Sequence, residues 1–201
     1  MEPVIIPIYF DYASTLCYIA WKIVIELETE LGFEALWKGV PISLRDFKAR
    51  AGRSIGPREY QKVIMTAAET GIRVAPPKNW INSDDALMGA ELAREARVFS
   101  AYHGAVFRGA FENEIDISNR RVLADIAHAA GMDRGRFIAD LESERMASRI
   151  AENKREADSL SASGYPTFVL GEFPLTGIQP IETMRLLFSR YMRQRADDPG
   201  N

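Results

Sequence analysis

Cysteine is almost missing from this sequence: its 201 residues include one, Cys17. A lone thiol cannot close an intramolecular disulfide, which excludes a disulfide-stapled scaffold and agrees with a reducing compartment. Histidine is nearly as scarce, with only His103 and His128, so no metal set of ordinary ligand spacing can be drawn and none is expected. Excess charge of either sign is small. The 25 Lys and Arg stand against 28 Asp and Glu, interspersed along the chain for a net charge of −3, which leaves no basic field for nucleic acid or anionic lipid. No run approaches the roughly 20 apolar residues that span a bilayer. Met1-Glu2-Pro3 has neither the basic start nor the apolar core of a secretory leader, and the expected location is the cytoplasm. Internal repeats and low-complexity tracts are also lacking.

What is present is an ordinary globular composition, 47% hydrophobic and 26% charged, long enough for one large domain or a core domain carrying an insert. Residues 4–10 are β-branched and aromatic and predict a buried strand, in which Pro7 points to an edge or a bulge. After the short turn Asp11-Tyr12-Ala13, Ser14 or Thr15 can cap a helix whose apolar positions Leu16, Ala20, Ile23, Val24, Leu27 and Leu31 share one face, and Gly32 ends it. Residues 33–40 return as a strand, most simply parallel to the first through a right-handed crossover. From about residue 57 to residue 160 helical patterns replace strands. Pro57 starts one helix that runs to Gly71, Ser83 starts a second, Tyr102 to Ala110 mark a third, Ser118 starts a fourth that stops at Gly131, and a long charge-rich helix is predicted over residues 133–159. Strands then reappear at residues 167–170 and 173–175 as an antiparallel hairpin, and Pro180 opens a last helix.

Chemistry concentrates at two places. Ser14-Thr15-Leu16-Cys17 follows the first strand and opens the first helix, where the helix dipole and unpaired N–H groups stabilise an anionic sulfur. Gly164-Tyr165-Pro166-Thr167-Phe168 places a proline just before a strand, between a glycine and an aromatic, which makes the Tyr165–Pro166 bond a candidate cis peptide.

These two segments resemble the Cys-Pro-x-Cys-Tyr and Gly-Val-Pro-Thr-Phe segments of the DsbA-like branch of the thioredoxin superfamily. Asn82-Ser83-Asp84-Asp85-Ala86 is similar to the start of that family's first large insert helix, Ile115-Asp116-Ile117 and Leu123 to its following helical pair, and Gly177-Ile178-Gln179-Pro180 to the turn before its last helix. The order and spacing of these matches cover nearly the whole chain. The resemblance implies an α/β fold: a thioredoxin-like sheet from residues 1–56 and 161–195, an inserted all-helical subdomain at 57–160, and a disordered tail at 196–201.

The departures from the pattern bear on function. Ser14 stands where the nucleophilic cysteine belongs, and a hydroxyl cannot attack a disulfide. In the 2-hydroxychromene-2-carboxylate isomerases and the kappa-class glutathione transferases, to which the chain is also similar, the resemblance implies that a serine here hydrogen-bonds the thiolate of bound glutathione. Thr15 replaces the proline that usually follows that serine. For Cys17 two readings stand: a buried, inert core thiol, or monothiol exchange with glutathione. Access to its sulfur decides between them.

Further site candidates follow from the same likeness. Tyr165 and Pro166 would pair with the backbone of glutathione or a peptide; Lys38 would meet a glutathione carboxylate or is an exposed strand-end lysine; Asn82 and Trp80 would overlie the cleft as substrate contacts or serve as a solvated cap and a packing aromatic. Asp11 is either a buried acid of the site or a turn residue. The expected protein is a glutathione- or thiol-dependent enzyme acting on a small electrophile, with isomerisation through a transient thiol adduct as the favoured reaction. An atypical thiol-disulfide oxidoreductase using Cys17 and a non-catalytic binding protein are the alternatives, and a homodimer is an open expectation.

Overall fold

The computed structural model describes residues 3–42, 50–162 and 164–197. Strand β1 (Val4–Phe10) runs parallel to β2 (Phe33–Gly39) in a register that pairs Val4 with Phe33 and Phe10 with Gly39. Helix α1 (Thr15–Leu31) connects them and ends where Gly32 takes a left-handed conformation, φ 72°, that a residue with a Cβ adopts only at a cost. Strand β3 (Thr167–Leu170) pairs antiparallel with β1 and with β4 (Phe173–Thr176), which gives the sheet order β2-β1-β3-β4. Pro7 therefore lies in a central strand rather than on an edge. Pairing with β3 reaches only Ile8 and Tyr9, so the proline sits just beyond that ladder.

Between β2 and β3 come α2 (Pro57–Thr70), α3 (Asp84–Glu95), α4 (Phe99–Phe111), α5 (Arg120–Ala129), α6 (Arg134–Asp140) and α7 (Glu144–Ser159). Helix α8 (Ile181–Asp197) closes the chain, and Pro180 directly precedes it, its carbonyl accepting from the Met184 amide. One predicted helix start shifts: Asn119, not Ser118, caps α5, its side chain accepting from the Arg121 amide. The single helix predicted over residues 133–159 is two. Phe137, Leu141 and Met146 are all buried, but an unbroken helix would carry the face of Phe137 and Leu141 on to Glu144 and Arg145. The break at Leu141 to Ser143 resets the register so that Met146 points inward. The predicted disordered tail is corrected at its start, because Ala196 and Asp197 belong to α8; residues 198–201 lie outside the described residues.

The helices between the strands do not form a core of their own. His103 of α4 is ringed by Phe10 of β1, Tyr12, Trp37 of β2, Phe99 and Phe107, with ring centroids 4.8–5.4 Å away, so one aromatic core joins sheet and helices. Its Nδ1 bonds the Tyr12 hydroxyl at 2.8 Å. On the same face of the sheet α8 packs through Phe188 against Phe33 and Phe168, and Arg185 bridges to Glu26 and Glu30 of α1. No helix among the described residues is long and apolar enough to cross a membrane.

Candidate active site

The sheet brings the two ends of the sequence motif together. Tyr9 pairs with Thr167, and carrying that antiparallel register one and two residues further sets Pro166 level with Phe10 and Tyr165 level with Asp11. The Tyr165–Pro166 peptide is cis. Pro166 is anchored through its carbonyl, which accepts from the Gly177 amide at 2.8 Å. Thr167 is a strand residue facing inward, its hydroxyl bonded to the Gly164 carbonyl and to Thr176.

Opposite that loop, Ser14 occupies the N-cap of α1 with extended backbone angles, φ −95° and ψ 118°. Its Oγ accepts from the Cys17 amide at 3.3 Å, and its carbonyl accepts from the amides of Cys17 and Tyr18. Of the four amides that a helix start leaves unpaired, those of Thr15 and Leu16 have no backbone partner among the described residues. The half-buried hydroxyl has one hydrogen to donate, which is directed at Cys17 and lowers that thiol's pKa.

Cys17 does not share this access. It is 0% exposed, and its Sγ accepts from the Asp11 amide at 3.5 Å. Burial pushes its thiol up to about 12, outweighing the opposing hydrogen bonds from Ser14 and Asp11. The expectation of a catalytic Cys17 is thus corrected: the sulfur is a protonated core group, and the access that monothiol exchange needs is not there.

Asp11, in the turn before Ser14, is a buried acid, 1% exposed. Its Oδ1 accepts from the Ala13 amide at 2.8 Å and from the Ser83 hydroxyl at 2.5 Å; its Oδ2 accepts from the Ile42 amide at 2.6 Å. Desolvation raises its pKa, and these donors hold it back. Tyr165 is half-buried, and burial lifts its phenol to about 12, with the nearby charges of Asp158 and Asp11 adding to the effect.

The remaining candidates are engaged within the fold. Lys38 is salt-bridged to Glu156 of α7 and so is engaged within the fold rather than held out for a carboxylate. Asn82 is exposed and caps α3, its Oδ1 accepting from the Asp84 amide at 3.2 Å. Ser83, the predicted cap, makes no side-chain cap bond, because its hydroxyl goes to Asp11. Trp80 is held by backbone bonds to Gly52 and Arg53 and has Arg50 5.6 Å from its ring.

Trp80 does border a cleft beside the motif. Ala13 and Thr15, the neighbours of Ser14, form one wall; Tyr60 and Val63 of α2 with Pro76 and Pro77 form the other. The cleft has a volume of about 240 Å³ and is mostly apolar, with Glu59 and Lys62 as its charged lining. Sequence reasoning missed this wall. The paired prolines were the available signal, since they fix an extended segment that cannot retreat into a helix. Among the described residues no group of three or more His, Cys, Asp or Glu is placed to hold a metal ion.

A family model described as a DSBA-like thioredoxin domain matches residues 5–189. No curated protein matches the chain. Among solved structures, a 2-hydroxychromene-2-carboxylate isomerase superposes with a TM-score of 0.78 at 23% identity over 96% of this chain and 98% of its own. A probable DsbA oxidoreductase from Streptomyces coelicolor gives 0.74 at 23% identity, covering 96% and 90%. The cytosolic disulfide reductase DsbM from Pseudomonas aeruginosa, solved with GSH, gives 0.71 at 16% identity, covering 94% and 100%. At these identities the likeness shows the fold.

Proposed function

The chain belongs to the DSBA-like thioredoxin domain family, and on that scaffold we propose that it is a glutathione-dependent enzyme of the isomerase or transferase kind, in which Ser14 holds another molecule's sulfur as a thiolate. The observation that carries this reading is the contrast between the two motif positions. The one thiol of the chain is sealed in the core and held protonated, while a hydroxyl stands at the accessible helix start. Reactive sulfur at this site has to be brought in.

The residues present fit that guest. The Ser14 hydroxyl and the Thr15 and Leu16 amides offer donors to one anionic atom, and charge-assisted hydrogen bonds at a helix N-terminus favour a thiolate over a thiol. The backbone at Tyr165, level with Asp11 across the site, is placed to meet the extended backbone of a peptide-like thiol. Bound glutathione would supply the nucleophilic sulfur. The cleft walled by Thr15, Tyr60 and Trp80 would take the electrophile and keep water from it.

Calorimetric titration with glutathione tests this. Wild type is expected to bind, Ser14→Ala to bind about tenfold more weakly through loss of one charge-assisted hydrogen bond, and Cys17→Ser to bind as wild type. Disulfide reduction that depends on Cys17 would instead favour the oxidoreductase reading. Absence of heat at millimolar glutathione would overturn the proposal.

A further inference from the structure

We propose that Asp11 and Ser83 form a positioning pair that couples helix α3 to the turn carrying Ser14, so that the geometry of the sulfur site is set from the helical part of the molecule. The inference rests on the glutathione reading above and adds to it how the site is held. Asp11 gathers three separate segments around one buried carboxylate: its own turn through the Ala13 amide, the end of the β2 connection through the Ile42 amide, and the start of α3 through the Ser83 hydroxyl. Its main chain completes the arrangement, the carbonyl accepting from the Ser14 amide at 3.1 Å and the amide donating to Cys17 Sγ.

Two features argue that this is more than incidental packing. The three groups that donate to the Asp11 carboxylate are all neutral, so among the described residues it is buried without an ion pair, an arrangement that costs free energy unless hydrogen bonds offset it. Ser83 also gives up the side-chain cap that its position at the start of α3 would normally provide, and Asn82 supplies one from a residue earlier. A hydroxyl diverted from a local bond to a partner 72 residues away spends helix stability on a long-range tie. The beneficiary is the segment Ala13-Ser14, both of whose amides end on Asp11. Neither residue reaches the guest sulfur in this account. They hold the residue that does.

The test uses the full chain, comparing wild type with Ser83→Ala, Ser83→Thr and Asp11→Asn. Amide hydrogen exchange at Ala13 and Ser14 is expected to quicken about tenfold in Ser83→Ala and to stay near wild type in Ser83→Thr, which restores the hydroxyl. Glutathione affinity by calorimetry is expected to follow the same order, and the Asp11→Asn, Ser83→Ala double variant to bind no more weakly than Asp11→Asn alone. Unchanged exchange in Ser83→Ala overturns the tie whatever glutathione does. Faster exchange with unchanged affinity overturns its service to the site. Faster exchange in a protein whose wild type binds no glutathione keeps the tie and overturns the proposed function instead. Should Asp11→Asn fail to fold, the two Ser83 variants still decide.

Discussion

Ser14 and Cys17 lie three residues apart, and their environments push their chemistry in opposite directions. The serine is half-buried, whereas the cysteine is wholly buried and raised to about 12. The raised thiol has a stability consequence. In the unfolded chain it titrates near its ordinary value of about 8.5, so above that pH the unfolded state carries fewer protons than the folded one. Stability held below about pH 8.5 is then lost as pH rises towards 12. Melting temperatures measured at about pH 8 and about pH 10 should show a smaller alkaline drop for Cys17→Ser than for wild type. An equal drop would mean the thiol is already solvated. At this scale the sequence allowed both fates for Cys17, because side-chain access depends on what α4 and the sheet lay over it. Asp11 was ambiguous for the same reason: its partner Ser83 is 72 residues away, and no local pattern announces such a pair.

Helices and strands were more legible than contacts, because their signals are local. Gly32 and Gly71 end α1 and α2 in left-handed conformations, and Pro57 opens α2. The break between α6 and α7 was not read, since neither glycine nor proline marks it. It arises from the burial of Leu141 and Met146, a tertiary demand. Helix α3 offers a test of packing at this scale. A glycine inside a helix ordinarily gains about 1 kcal/mol on replacement by alanine. At Gly89 a Cβ would stand 2.2 Å from the Tyr102 hydroxyl of α4 and 2.8 Å from the Phe137 ring of α6. Both neighbours are buried rings with nowhere to retreat. Gly89→Ala is therefore expected to destabilise by about 1–3 kcal/mol, read by urea denaturation. A stabilised variant would mean that α3, α4 and α6 pack more loosely than described.

Over the whole molecule, the family was legible in two five-residue segments at opposite ends of the chain, and the sheet explains why. The antiparallel pairing of Tyr9 with Thr167 sets Pro166 level with the residues just before α1, so sequence distance collapses into one site. The walls of that site were hidden, since the cleft joins Thr15 to Tyr60, Pro76 and Trp80, segments with no shared motif. Lys38, a candidate ligand contact, ties β2 to α7 through Glu156. What the assembled molecule offers is an accessible hydroxyl at a helix start, a sealed thiol beneath it and an apolar cleft beside it. On the proposed function, the working sulfur is a guest held as an anion. Ultraviolet thiolate absorbance of the protein mixed with glutathione at neutral pH tests this most directly. A thiolate signal is expected that saturates with binding, persists in Cys17→Ser and is lost in Ser14→Ala. A bound glutathione that stays a neutral thiol, or a signal that vanishes with Cys17 rather than Ser14, would contradict that function.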